Sequence, residues 1–174
     1  MQDIEHKALQ IRLVIFDVDG VLTDGSLFIG DDGQEYKAFN SKDGLGMSLL
    51  QQSGVEIAII TARTSEVVKI RMQTLGVKHV FQGRKNKSAA YEELKQITGY
   101  SDDQIAYVGD DLIDLPVMRL VGLAIAVKDA HPLVTQHAHW QTPSPGGRGA
   151  ARDVSEMIML AQRTLDASMT AFFS

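Results

Sequence analysis

A chain of 174 residues with 44% apolar content is long enough to enclose a core and short enough to be read as one domain spanning 1–174. A net charge of -5 and a pI near 5.5, with no cluster of Lys or Arg, argue against a nucleic-acid partner and point to small ligands. With no cysteine, the chain has no disulfides, thiolate metal sites or thiol nucleophile; with no membrane-length apolar run and no leader-like start, the cytoplasm is the expected compartment.

The first apolar run, 13–16, stops abruptly in Asp17-Val-Asp19-Gly-Val-Leu-Thr23-Asp24, which reads as a buried strand with acids at its carboxyl end. Side chains alternate along a strand, so Asp17 and Asp19 can leave on the same side. Two carboxylates about 4 Å apart repel by roughly 4 kcal/mol at an effective dielectric near 20, which calls for a cation, a shared proton or open water. An ordinary Asp/Gly turn explains this segment equally well when it is taken alone.

Next comes a β-hairpin over 26–39, with Gly30-Asp31-Asp32-Gly33 as its four-residue turn. Leu27 and Ile29 share one face and Phe28 takes the other, so the hairpin is expected to be apolar on both sides. Either a partner subunit or its own domain must cover it. Further short apolar runs at 55–60, 78–81, 105–108 and 123–127 alternate with helical patterns at 44–52, 65–75, 87–97, 115–120 and 132–137. This alternation predicts an α/β fold, a three-layer sandwich around a mainly parallel sheet, with ligands at the carboxyl ends of the strands. A loop rich in proline and glycine, 143–149, precedes a last helix at 150–165 and a tail that ends Ala171-Phe172-Phe173-Ser174; the tail is expected to be disordered or docked on a neighbouring subunit.

Three strand ends and one helix start carry matching polar groups. Asp17 and Asp19 follow the first run, Thr61 and Arg63 the second, and Asp110, Asp111 and Asp114 the fourth, while Lys87 opens a helix between the last two. At one sheet edge these groups form a site. Asp17, Asp110 and a backbone carbonyl offer hard oxygens for Mg²⁺. Thr61 and Lys87 are suited to holding phosphoryl oxygens, so the set points to phosphoryl transfer.

In this order, Asp17-Val-Asp19-Gly-Val-Leu-Thr23, Thr61, Lys87 and Gly109-Asp110-Asp111-Leu-Ile-Asp114 resemble the motifs of the haloacid dehalogenase superfamily. The resemblance implies that Asp17 attacks phosphorus to give an aspartyl-phosphate and that Asp19 protonates the leaving oxygen, then activates water. It also places the metal on the Asp17 and Asp110 side chains and the Asp19 carbonyl, with Asp111 and Asp114 behind them. The hairpin, Phe39-Asn-Ser-Lys-Asp43-Gly44, Ala130-His-Pro132 and Gly146-Gly-Arg-Gly-Ala150 extend the likeness to a capless branch. Members of that branch remove phosphate from an eight-carbon acidic sugar in lipopolysaccharide synthesis and form homotetramers whose neighbours complete the sites. By position, Asp19, Asn40, Ser41, Lys42, Asp43, Gly44, Ser48, Arg63, Arg71 and Lys87 are then the substrate contacts. Lys42 stands where the branch pattern has arginine, exchanging a two-pronged fork for a point charge.

The spacing also leaves no room for a lid between Asp24 and Val55 or between Arg63 and Lys87, so water exclusion would fall to another subunit. A related nine-carbon sugar-acid phosphate is the alternative substrate, and a non-catalytic phosphoacceptor or binding domain the alternative class. A phosphoacceptor domain puts its aspartate where Thr61 stands, which is the wrong order. His131, His137 and His139 lack partners for a zinc set. Arg148 reads equally as a turn residue or a substrate arm.

Overall fold

The computed structural model describes residues 2–170, 172 and 173. Helix α1 (Gln2–Gln10) leads into β1 (Leu13–Phe16), followed by a hairpin of β2 (Phe28–Ile29) and β3 (Glu35–Tyr36) and by α2 (Ser41–Gln52). Then come β4 (Glu56–Ile60), α3 (Glu66–Thr74), β5 (His79–Phe81), α4 (Lys87–Thr98) and β6 (Ile105–Gly109). The chain continues through α5 (Leu115–Met118), β7 (Leu123–Ala126), α6 (Pro132–His137), β8 (Trp140–Gln141), α7 (Ala150–Ala161) and α8 (Leu165–Thr170).

Six strands form one sheet in the order β5-β4-β1-β6-β7-β8, with every adjacent pair parallel. All four residues of β1 are buried because helices cover both faces of the sheet, which explains a continuous apolar run where a half-exposed strand would alternate. On one face, Val14, Phe16, Ile57, Ile59 and Val108 pack with Met47 and Leu50 of α2 and with Val154 and Ile158 of α7. On the other, Leu13, Ile15, Ala58, Ile60 and Tyr107 pack with Tyr91 and Leu94 of α4 and Val117 of α5. Each large apolar side chain so enclosed stabilises the fold by about 2 kcal/mol relative to exposure.

Strands β4 and β5 lie to one side of β1, and β6, β7 and β8 to the other. The carboxyl end of β1 therefore sits at the crevice where successive crossovers diverge, the usual ligand site of such sheets. Only the hairpin and α2 intervene between Asp24 and β4, and only α3 and β5 between Arg63 and Lys87, so no cap domain stands over that edge among the described residues.

The structure adds elements that the apolar runs did not mark: α1, and the two-residue edge strand β8. The expected last helix stops at Ala161, because Arg163 adopts a left-handed φ of 60°, and resumes as α8. The hairpin ladder is shorter than 26–39, with Phe28 opposite Tyr36 and Ile29 opposite Glu35. In the tail, Phe172 and Phe173 are exposed, while Ala171 and Ser174 lie outside the described residues.

Candidate active site

Asp17 follows β1 directly and is 4% exposed. Its Oδ1 accepts the Val18 N–H at 2.7 Å, and its Oδ2 pairs with Lys87 Nζ at 2.8 Å. Lys87 is the first residue of α4, whose start is fixed by the Asn86 side chain accepting the Ala89 N–H at 3.2 Å. The same ammonium reaches Asp114 Oδ1 at 2.6 Å and the Tyr107 hydroxyl at 3.1 Å. Burial alone would push Lys87 down, but the carboxylates of Asp17 and Asp114 outweigh it and hold the ammonium above the ordinary lysine range.

Asp17, Asp110 and Asp114 each bring a carboxylate oxygen to within 4.8 Å of the others. Asp114 is fully buried and fully engaged: Oδ1 takes Lys87 and the Tyr107 hydroxyl, and Oδ2 accepts the N–H groups of Asp110 at 2.9 Å and Asp111 at 3.2 Å. Asp110 is the opposite case, since its Oδ1 is buried with no hydrogen-bond partner among the described residues. Burial, then the charges of Asp114 and Asp17, push its carboxyl up to about 8. Burial also raises Asp17 to about 6 in spite of Lys87. An orphaned buried oxygen beside a second carboxylate, both resisting ionisation, is the environment a hard divalent cation relieves, and this donor set fits Mg²⁺.

Asp19 sits in a ring of alternating charge. Lys37 pairs with its Oδ1, Arg63 Nε lies 3.8 Å from its Oδ2, and Glu35 Oε1 joins the two cations at 2.9 Å from Lys37 Nζ and 3.1 Å from Arg63 Nη2. Glu35 and Lys37 were not anticipated, because the hairpin was read as apolar on both sides. In fact, the alternation Glu35, Lys37, Phe39 turns inward while Tyr36 is 60% exposed, a signal available in the period of two. Tyr107 was also missed; it is the one hydroxyl in the otherwise apolar run of β6.

The remaining expected residues are distributed as follows. Thr61 directly follows β4, buried, with its N–H donated to the Phe81 carbonyl and its own carbonyl accepting from the Arg84 N–H. Asn40 caps α2 by accepting the N–H groups of Lys42 and Asp43, and leaves Ser41 and Lys42 exposed on the first turn. Asp43 is buried and accepts the N–H groups of Gly149 at 3.2 Å and Arg152 at 2.9 Å, capping α7 from α2. Arg71 lies over the Phe39 ring, so close to Gly44 that a Cβ there would be 2.2 Å from its Nη2. Ser48 is not brought to the acidic cluster: it lines a groove with Val55, Glu56, Lys78 and His79, near the amino ends of β4 and β5. Asp111 accepts its neighbour Leu112 N–H at 2.8 Å and caps the short turn before α5. Arg148 pairs with Asp24 at 3.2 Å.

Residues 74–152 match the haloacid dehalogenase-like hydrolase family. The chain is 48% identical over 164 residues to 3-deoxy-D-manno-octulosonate 8-phosphate phosphatase KdsC of Yersinia pestis, covering 94% of this chain and 88% of that protein. It is 49% identical to KdsC of Escherichia coli K12, covering 94% and 87% respectively. A crystal structure of the Moraxella catarrhalis phosphatase in complex with a magnesium ion, a phosphate ion and KDO superimposes with a TM-score of 0.97 at 40% identity, over 99% of each chain. With matches of this extent, the chain belongs to the haloacid dehalogenase-like hydrolases, in the branch of the 3-deoxy-D-manno-octulosonate 8-phosphate phosphatases.

Proposed function

We propose that this enzyme is a Mg²⁺-dependent phosphatase that hydrolyses 3-deoxy-D-manno-octulosonate 8-phosphate to the free sugar acid and phosphate, as a cytoplasmic step of lipopolysaccharide synthesis. The observation that carries the reading is the Asp17–Asp110 carboxylate pair with its orphaned oxygen, set against the Lys87 ammonium. Asp17, Asp110 and the Asp19 main-chain carbonyl are the residues to hold the ion. When bound, Mg²⁺ supplies positive charge that permits an anionic nucleophile and a phosphoryl group to approach.

Asp17 attacks phosphorus as the bond to the leaving sugar oxygen breaks, and Asp19 gives that oxygen its proton, releasing the sugar alcohol. The resulting Asp19 carboxylate then takes a proton from water, whose oxygen attacks phosphorus and restores Asp17. Lys87, fixed by Asp114 and Tyr107, fixes Asp17 in turn and presents its charge to the phosphoryl oxygens; Thr61 offers a hydroxyl at the neighbouring strand end.

Recognition of the sugar acid falls to Arg63 and Arg71, with Ser41 and Lys42 on the exposed first turn of α2. Asn40, Asp43 and Gly44 contribute by holding that turn, α7 and Arg71 in place. The exposed Leu27, Phe28, Ile29 and Tyr36 support a homotetramer in which hairpins meet and neighbours close the open sites. Phosphate release across a panel of sugar phosphates tests the assignment. The eight-carbon acid phosphate is expected to have the highest kcat/KM, and a higher value for a nine-carbon acid 9-phosphate or a neutral hexose phosphate would overturn the substrate.

A further inference from the structure

The Lys37 side chain is only 1% exposed although it comes from a hairpin whose other face is open to solvent. A buried ammonium is costly unless it is paired, and Lys37 has two carboxylate partners, Asp19 and Glu35. Glu35 lies two residues away on the same inward face of β3, so the hairpin supplies both the cation and the anion that anchors it. Asp19, by contrast, follows a four-residue strand on a tight loop, and among the described residues its carboxylate is held by the hairpin lysine on one oxygen and the 3.8 Å approach of Arg63 on the other. Arg63 is 45% exposed, which makes the enclosed lysine the stiffer of the two holds.

Building on the phosphatase reading above, we propose that Lys37 is a positioning residue: held by Glu35, it fixes the Asp19 carboxyl in the orientation that delivers a proton to the leaving oxygen. Asp19 becomes a carboxylate as that proton leaves, and the ammonium faces the oxygen on which the charge appears. The hairpin is then part of the reaction apparatus as well as a surface.

Positioning predicts a dependence on the leaving group that simple damage to the fold does not. An alkyl phosphate needs a proton on its departing oxygen, whereas p-nitrophenyl phosphate releases a stable phenolate without one. Because activation of water by Asp19 is common to both substrates, the selectivity is read in the leaving-group step: with enzyme in excess in a single turnover, Lys37→Met in the full-length enzyme is expected to slow release of the sugar alcohol by ~10²-fold, the scale of a misplaced catalytic group, while changing release of p-nitrophenolate by less than about 3-fold. Glu35→Gln, which loosens the anchor and also weakens the hold on Arg63, is expected to show the same selectivity in that step with a smaller loss, and Lys37→Arg to recover most of the alkyl activity. Equal losses in that first step on both substrates, an unchanged first-step rate with only KM raised, or no loss at all would each overturn the proposal; so would Lys37→Met failing to fold combined with an unselective Glu35→Gln. If the wild-type enzyme leaves the octulosonate phosphate untouched, the functional reading fails separately, and any alkyl phosphate that it does cleave serves as the alkyl arm.

Discussion

Gly20 and Asp110, ninety residues apart in sequence, occupy the same space: a Cβ on Gly20 would lie 2.1 Å from Asp110 Oδ2. Gly20 also holds a φ of +87°, a left-handed conformation that costs an L-residue roughly 1–2 kcal/mol. The absent side chain lets the loop after β1 close on the acid after β6. Gly20→Ala is therefore expected to lower stability by about that amount and to cut Mg²⁺-supported turnover by ~10²-fold through displacement of Asp110. Thermal unfolding and steady-state rates measured over a range of Mg²⁺ check this, and a variant with wild-type metal dependence would show that the contact is unimportant.

Without a cation, Asp110 titrates near 8 and Asp17 near 6, both above an unfolded aspartate near 3.9. The native state then binds more protons than the unfolded chain, so the metal-free protein loses stability from this pair as pH rises through those values. A bound ion must displace the Asp110 proton at neutral pH. Apparent Mg²⁺ affinity is therefore expected to rise about tenfold per pH unit between about 6 and 8 and to level off above, with about one proton released per ion at pH 7. Calorimetric titration in buffers of different ionisation enthalpy measures both; an affinity independent of pH with no proton release would contradict the assignment.

Asp43 caps α7 from across the chain, so Asp43→Ala leaves two backbone N–H groups, those of Gly149 and Arg152, without their acceptor. A loss of about 1–3 kcal/mol is expected, visible as a midpoint several degrees lower for a chain of this size. Well below the midpoint, KM should stay within about 3-fold of wild type, since Asp43 acts through α7. A large KM increase with unchanged stability would instead make Asp43 a direct contact.

Much of this was legible because each chemical group ends an apolar run. Leu13–Phe16 before Asp17 and Ile105–Gly109 before Asp110 are buried strands whose polar successors emerge at one sheet edge by topology alone. What was not legible depends on partners distant in sequence. Strand β8 is two residues long and exists only through its pairing with β7, so it has no periodicity of its own. Helix α1 carries Ile4 and Ala8 at helical spacing against the core, a short pattern inside a polar segment. Lys37 gives no sign in the sequence of its pairing with Asp19, eighteen positions earlier. Tyr107 looks like an ordinary strand residue until the register places its hydroxyl beside Asp114.

The mechanism proposed above rests on Asp17 taking the phosphoryl group. Its most direct test is the mass of the Asp17-containing peptide from enzyme acid-quenched during turnover with Mg²⁺, compared with Asp17→Asn treated identically. One added phosphoryl group is expected on the wild-type peptide, and neither label nor turnover in the variant. Continued hydrolysis by Asp17→Asn, or turnover by the wild type with the phosphoryl group trapped on a different residue, would contradict it.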